Sequence, residues 1–311
     1  METRDPLAQF RVYYNHTIYP ELRRLERLRR RLLGLLVASG FLLAGILVFE
    51  LFLNIWLVTL ILMIPTTLFV FYLGYRIRRF ILTFKPQVMQ LVLEFLEGLP
   101  NITELAYEAK GGIDKPEFME SELFITPAPI YEKEDFIYGK VGEMSFRLCE
   151  LNVRELSKVR NRTNYVFKGV FMHATFMEET EGRILVWPRE FKQYLSQSIR
   201  NFTFQGGTNV DHEIMNPEFR EIFMTYALPD THVISILSRP MQDAVVEYYK
   251  LTGKEIYMSF HDEEIYIAVT EPKDILEPYI LRPNTSFELV REFFEDIHLL
   301  LNIVEDFDQT H

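Results

Sequence analysis

Cysteine is almost absent from this 311-residue chain, in which Cys149 stands alone. One thiol makes no internal disulfide, so stability must come from packing, and the count agrees with a reducing compartment. Histidine is sparse too: among His16, His173, His212, His232, His261, His298 and His311, no two share the i, i+4 spacing of a helical zinc pair. There is no G-x-S-x-G elbow and no G-x-x-x-x-G-K-[ST] phosphate loop, and Gly111-Gly112 and Gly206-Gly207 lack the flanking pattern of a nucleotide loop. No local motif points to catalysis, and no metal or cofactor is expected.

Charge is also missing, locally. Residues 32–49 and 55–75 contain no charged side chain. As helices of 18 and 21 residues, each is long enough to cross a hydrocarbon core of roughly 30 Å, and the five residues between them predict a hairpin of two spans. Residues 50–54 hold no Lys or Arg, whereas residues 1–31 carry eight arginines and Arg76, Arg78, Arg79 and Lys85 follow the second span. Positive flanks stay inside. The expectation is a multi-pass protein of the inner (cytoplasmic) membrane with both termini cytoplasmic, Trp56 at the outer interface and Tyr72 and Tyr75 at the inner one. A cleaved signal peptide is not expected, because a long arm precedes the first apolar run and a second span follows at once. Gly34, Ala38, Gly40 and Ala44 place small residues on the first span where close helix contact is possible. Glu50, at the outer end of that span, reads as an interfacial residue.

The remaining charge is unevenly divided. Residues 1–85 hold 12 Lys plus Arg against 5 Asp plus Glu, while the rest holds 21 against 39. Arg23, Arg24, Arg27, Arg29, Arg30, Arg31, Arg76, Arg78, Arg79 and Lys85 form a basic collar expected to meet anionic lipid headgroups. The acidic body would be repelled by the same headgroups and by nucleic acid, so no nucleic-acid partner is expected.

Four regions follow. Residues 1–31 read as a basic amphipathic helix, with Ile18, Leu22, Leu25 and Leu32 near helical spacing and Pro20 at its start. It could lie on the inner leaflet or run straight into the first span and pack on the segment leaving the second. Residues 32–75 are the hairpin. Residues 76–117 read as a helical stalk, with Val88, Leu91, Val92, Phe95, Leu96 and Leu99 on one face and a stop at 98–100. Residues 118–311 read as one α+β domain, with a split near Gly206 possible. Its strands FIYGKV, MSFRLCELNV, NYVFKGVFMHATF and RILVWP, punctuated at Gly142, 161–164 and Gly182, predict an antiparallel meander. A short helix at 191–199, a mobile loop at 204–217, the strand EIFMTYAL and a helix at 240–251 come next. Then strands at 255–260 and 265–269 flank the acidic turn at 261–264. A capping box of Thr285 and Glu288 opens a final amphipathic helix bearing Phe293, Phe294, Ile297, Leu300 and Leu301. The fold class is therefore α+β: an N-terminal transmembrane helical hairpin followed by a cytoplasmic domain of antiparallel sheet with packed helices.

Five blocks in this order, VFKGVFMHATF, GRILVWP, PEFREIFMTYA, LTGKEIYMSFHDEEIYIAV and FELVREFFEDIHLLLNIVEDF, resemble a bacterial family of membrane-anchored proteins defined by a domain of unknown function (family 3137). The resemblance implies an inner-membrane topology with a cytoplasmic C-terminal domain and a LemA-type membrane protein as a partner. It implies no catalytic residue. The chain departs from the family pattern at Met177 and Thr180, after Phe176, where an Asn and a second Phe are common, and at Arg189, where an Asp follows Pro188.

Asp211, His212 and Glu213 are adjacent and read as a solvated loop; His173, between Met172 and Ala174, reads as a hydrogen-bonded strand residue. Glu178, Glu179 and Glu181, like Asp262, Glu263 and Glu264, read as turn carboxylates, since acid–base work requires a carboxyl buried in a cleft. Phe167, Phe171, Phe176, Phe293 and Phe294 read as core. The leading expectation is a membrane protein displaying a cytoplasmic interaction or regulatory domain without catalysis. Its rivals are a membrane-tethered hydrolase, which predicts Asp, Glu or His facing one another across a deep pocket, and a lipid or small-ligand sensor, which predicts an apolar cavity near Phe80 and Phe84.

Overall fold

The computed structural model describes residues 6–53, 56–156, 163–175, 182–190 and 193–310. Asn54, Asn161, Phe176, Met177, Glu178, Glu179, Thr180, Glu181 and the first two residues of the 191–199 helix lie outside them. The chain divides into two compact units: Met1–Phe95 with Leu276–Glu292, and Leu96–Ile275 with Phe293–His311.

In the first unit, α1 (Pro6–Tyr13) passes through a single π turn (Tyr14–Ile18) into α2 (Tyr19–Leu53). Phe10, Tyr14, Ile18, Leu22 and Leu25 recur every three or four residues and are all buried, which is the stripe a packed helix needs. Pro20 does not start the helix, as the sequence suggests; it follows a widened turn, where its missing N–H and its ring are tolerated. Of the two courses open to the arm, the continuous one is adopted. α2 runs without a break into the apolar stretch, while Phe10 and Tyr13 lie 5.1 and 5.2 Å from Phe95 on α3 (Trp56–Glu97). α3 carries Pro65 and Pro86 inside one helix and ends ahead of Gly98 and Pro100. A Cβ added at Gly34, Gly40 or Gly45 would meet nothing within 4 Å, so within the chain these glycines are not points of close helix contact. Tyr14 donates its hydroxyl to the Thr285 carbonyl at 2.9 Å, joining the distant segment to this unit.

The second unit is built on one antiparallel sheet, ordered β1-β2-β3-β4-β9-β8-β5-β7-β6. Its strands are β1 (Ile102–Glu108), β2 (Ile130–Val141), β3 (Met144–Leu156), β4 (Thr163–Thr175), β5 (Arg183–Pro188), β6 (Thr208–Asn209), β7 (Phe223–Ala227), β8 (Ile256–His261) and β9 (Glu264–Thr270). Helices α4 (Lys115–Glu120), α5 (Gln193–Phe204), α6 (Pro217–Ile222), α7 (Val233–Ile236), α8 (Arg239–Thr252) and α9 (Phe287–Thr310) complete the elements. The meander holds only for β1 to β4. The β8–β9 hairpin then inserts between β4 and β5, because strands this apolar, buried along almost their whole length, must lie inside a sheet. Gly169 permits the close β4–β9 approach: its φ is +152°, and a Cβ there would stand 2.0 Å from the Val269 carbonyl oxygen.

Several boundaries move. Residues 102–108, assigned to the stalk from sequence, form edge strand β1, and the 204–217 loop contains β6 and a 3₁₀ turn. In place of the expected capping box of Thr285 and Glu288, the Ser286 hydroxyl accepts the Glu288 N–H at 3.3 Å. Ser238 caps α8 through Met241 N–H, and Gly253 ends it at φ +68°. Phe118, Phe124, Phe167, Phe171, Trp187 and Tyr266 share one core cluster, so the aromatic content of the strands is used for packing.

Candidate functional site

The first unit presents an apolar belt. Within the most hydropathic window of each long helix only 11% of the residues are buried, and Phe41 and Trp56 are each 75% exposed. A core helix of a water-soluble protein would bury these side chains, because each large apolar group left in water forfeits roughly 1.5–3 kcal/mol.

Below the belt, the ten collar residues separate into two groups. Arg23, Arg24, Arg27, Arg30, Arg31, Arg78 and Arg79 are exposed and Arg76 is half-buried, while Arg29 and Lys85 are buried. Arg29 grips both oxygens of buried Glu26 at 2.7 and 2.8 Å and donates to the Ile280 carbonyl; Lys85 lies 3.5 Å from Glu277. Arg30 adds a 2.8 Å bond to Glu26, and the Asn284 N–H approaches it at 3.4 Å. The Arg29 guanidinium, with Arg30 beside it, pulls the Glu26 carboxyl down to about 2. Sequence reasoning placed Arg29 and Lys85 with the surface cations because helical spacing does not reveal which cation has a buried carboxylate opposite. Phe80 and Phe84 are buried with ring centres 5.8 Å apart. The cavity lined by Leu32, Leu33, Ile77, Phe80 and Ile280 has about 10 Å³, room for one water and not for a ligand.

In the second unit, the most concentrated polar group surrounds His173. Strand pairing sets Arg147 opposite His173 on β3 and Tyr266 opposite it on β9. The imidazole Nδ1 lies 2.5 Å from Glu117 Oε1, its Nε2 lies 2.5 Å from Glu264 Oε2, and its ring stacks on Tyr266 at 4.4 Å. Arg147 Nη2 stands 2.9 Å from the same Glu117 oxygen, and the Tyr266 hydroxyl donates to Glu264. Glu264 is therefore not the solvated turn residue that the sequence suggests, and Glu117 joins it at the histidine. The local sequence of Glu117, Lys-Pro-Glu-Phe, carries no signal that would mark it. Burial pushes the Tyr266 phenol pKa up, and burial, aided by Arg183, pushes that of nearby His261 down. These side chains are in contact and do not face one another across an open space, and the group contains no serine, threonine or cysteine. The arrangement is a charge clamp tying α4 to β3, β4 and β9.

Two further polar groups lie in this unit. Glu134, Asp135 and Glu150 bring carboxylate oxygens within 4.8 Å of one another at the β2 bulge, beside a polar cleft of about 280 Å³. Asp135 accepts the Tyr107 hydroxyl at 2.7 Å and Glu150 accepts the Ile275 N–H at 3.3 Å, so both carboxylates have structural bonds. The buried Lys254 amine meets both Asp296 oxygens and Glu271 Oε2 at 2.7 Å, and Tyr248 donates to Asp296. Burial works against the lysine charge, but Asp296 and Glu271 outweigh it and raise its pKa. Asp211 is likewise engaged: it accepts from Arg189 at 2.5 Å and from the Thr225 N–H at 2.8 Å. The departure at Arg189 thus has a structural use here. Cys149, buried in the core, has its thiol pushed up to about 12 by that burial.

Residues 165–309, just under half of the chain, match the model of a family described as a protein of unknown function (DUF3137). All five blocks that carry the resemblance fall within that stretch. The crystal structure of the mycobacterial trehalose monomycolate transport factor A, TtfA, is similar at 9% identity over 66% of this chain and 88% of that one, with a TM-score of 0.35. At that level it carries no argument about fold or role. No curated protein matches the chain.

Proposed function

We propose that this chain is an integral inner-membrane protein, anchored by two spans with both termini in the cytoplasm, whose sheet domain is displayed as a binding or regulatory module without catalysis. The observation that supports this most is the exposure of both apolar helices, since an uncovered belt of this length matches a hydrocarbon environment and not water. The exposed collar arginines suit anionic headgroups at the inner leaflet. The partner class that the family resemblance implies, a LemA-type membrane protein, belongs to the same reading. The hydrolase alternative loses support because the carboxylates beside His173 are already engaged, Glu117 by Arg147 and Glu264 by the Tyr266 hydroxyl, and the sensor alternative because the cavity near Phe80 holds no more than a water.

Alkaline carbonate extraction of native membranes, with reporter fusions at each terminus, tests the reading. Retention in the pellet with both reporters cytoplasmic is expected. Release into the supernatant, or a reporter on the far side, overturns it.

A further inference from the structure

The segment Leu276–Glu292 is far from the apolar helices in sequence, yet it packs in the same unit. Between Pro278 and Pro283 it exposes Tyr-Ile-Leu-Arg at residues 279–282, with Tyr279 50% and Leu281 80% exposed. This tip is a built loop. The Asn284 side chain, 1% exposed, accepts the Tyr279 N–H at 2.7 Å and donates to the Tyr279 carbonyl at 2.8 Å, closing the turn across its base. A side chain buried to satisfy both backbone groups of one residue holds the tip in a single shape, so little ordering cost remains for binding.

The loop's contacts give its direction. Its ends meet Lys85, through Glu277, and Glu26, through Asn284. Its tip meets Arg29 through the Ile280 carbonyl, and Ile280 shares a lining with Leu32, Leu33 and Ile77. From Lys85 to Ile77 is about 12 Å along α3, and from Glu26 to Leu33 about 10 Å along α2. The loop therefore climbs both helices from the collar to the first residues of the uncharged belt and places Leu281 beside that edge. An aromatic, two aliphatic groups and an arginine at such a level form the composition of an interfacial anchor.

We propose that residues 279–282 insert into the headgroup layer of the leaflet from which the two helices emerge, as a third membrane contact; this rests on the membrane reading above. The occupant is the lipid interface because Ile280 is continuous with the apolar belt and Arg282 adds a cation where the exposed collar arginines already lie. The tip ties the segment leading into α9 to the bilayer surface.

The test places a nitroxide on Leu281→Cys in the full chain, reconstituted in nanodiscs of phosphatidylcholine and phosphatidylglycerol. Buried Cys149 stays unlabelled, so no other substitution is needed. Collisional relaxation by oxygen, which partitions into lipid, is compared with relaxation by a water-soluble nickel chelate, using Phe41→Cys in the first span and exposed Leu251→Cys as references. The expected result is an oxygen-to-nickel ratio at 281 several-fold above that at 251 and below that at 41. A ratio equal to that at 251, with 41 still lipid-like, overturns the loop insertion and leaves the anchor standing. A label at 281 shielded from both probes, as beneath a second protein copy, also overturns it. Nickel access at 41 instead refutes the membrane reading itself.

Discussion

Replacing Lys254 with methionine is the sharpest test of how the sheet domain is held. The amine is placed between two carboxylates that are themselves nearly sealed from solvent, Glu271 with 8% and Asp296 with 3% of its side chain exposed. Methionine fills similar volume but leaves two buried negative charges facing the same point. Breaking a buried ion pair in this way costs about 3–5 kcal/mol, a large share of the roughly 5–15 kcal/mol that holds a typical domain folded. Asp296→Asn is the contrasting change: Lys254 keeps Glu271 at 2.7 Å, and the amide oxygen still accepts from Tyr248, so about 1–2 kcal/mol is expected. The pH dependence adds a second signature. In Lys254→Met one carboxylate is forced to hold a proton in the folded state that it releases on unfolding, so stability falls as pH rises and the deficit should shrink on moving from about pH 7 to about pH 5. Urea unfolding of the full chain in detergent, followed by the fluorescence of buried Trp187 with Trp56 replaced by Phe, measures both. A loss below about 1 kcal/mol for Lys254→Met, or a larger loss for Asp296→Asn, would refute the argument that uncompensated charge dominates.

Glu26, held at about 2 against an ordinary 4.5, contributes roughly 3 kcal/mol to the first unit, present above the unfolded-state pKa and lost as pH falls from 4.5 through 2. Glu26→Gln should abolish that acid transition in a melting curve followed by circular dichroism. Gly169→Ala should destabilise the sheet domain by roughly 3 kcal/mol or more, through its positive φ and the clash with the Val269 carbonyl, and the same fluorescence assay reads it. Cys149 should resist a maleimide at neutral pH in the native protein and react at once in denaturant; rapid native labelling would contradict its burial.

The apolar helices were legible because a run of 18 or more residues without charge is a local property, readable without knowing its neighbours. β3, β4, β8 and β9 were legible for the same reason, from β-branched and aromatic density between turn residues. β1 was not. Its residues ITELAYE are mostly exposed or half-buried on a sheet edge, so they carry no strong alternation, and the strand exists because β2 pairs with it. The His173 clamp was illegible because Glu117 lies 56 residues away and on another element. A lone histidine in an apolar strand says nothing about which carboxylates fold against it.

The sequence by itself determined where charge is absent, and hence which helices carry the exposed belt, and it determined the periodicities of most strands and of α8 and α9. Only the tertiary structure decided which charges are spent internally. It buried Arg29 and Lys85 against Glu26 and Glu277 while leaving the other collar cations at the surface, and it brought residues 276–292 back onto helices some 250 positions earlier, where Glu26 meets Asn284. The physical reason is range. Hydrophobic period and helix propensity act over a few residues and repeat along the chain, whereas an ion pair or a loop docked across hundreds of residues depends on packing that only the assembled core supplies.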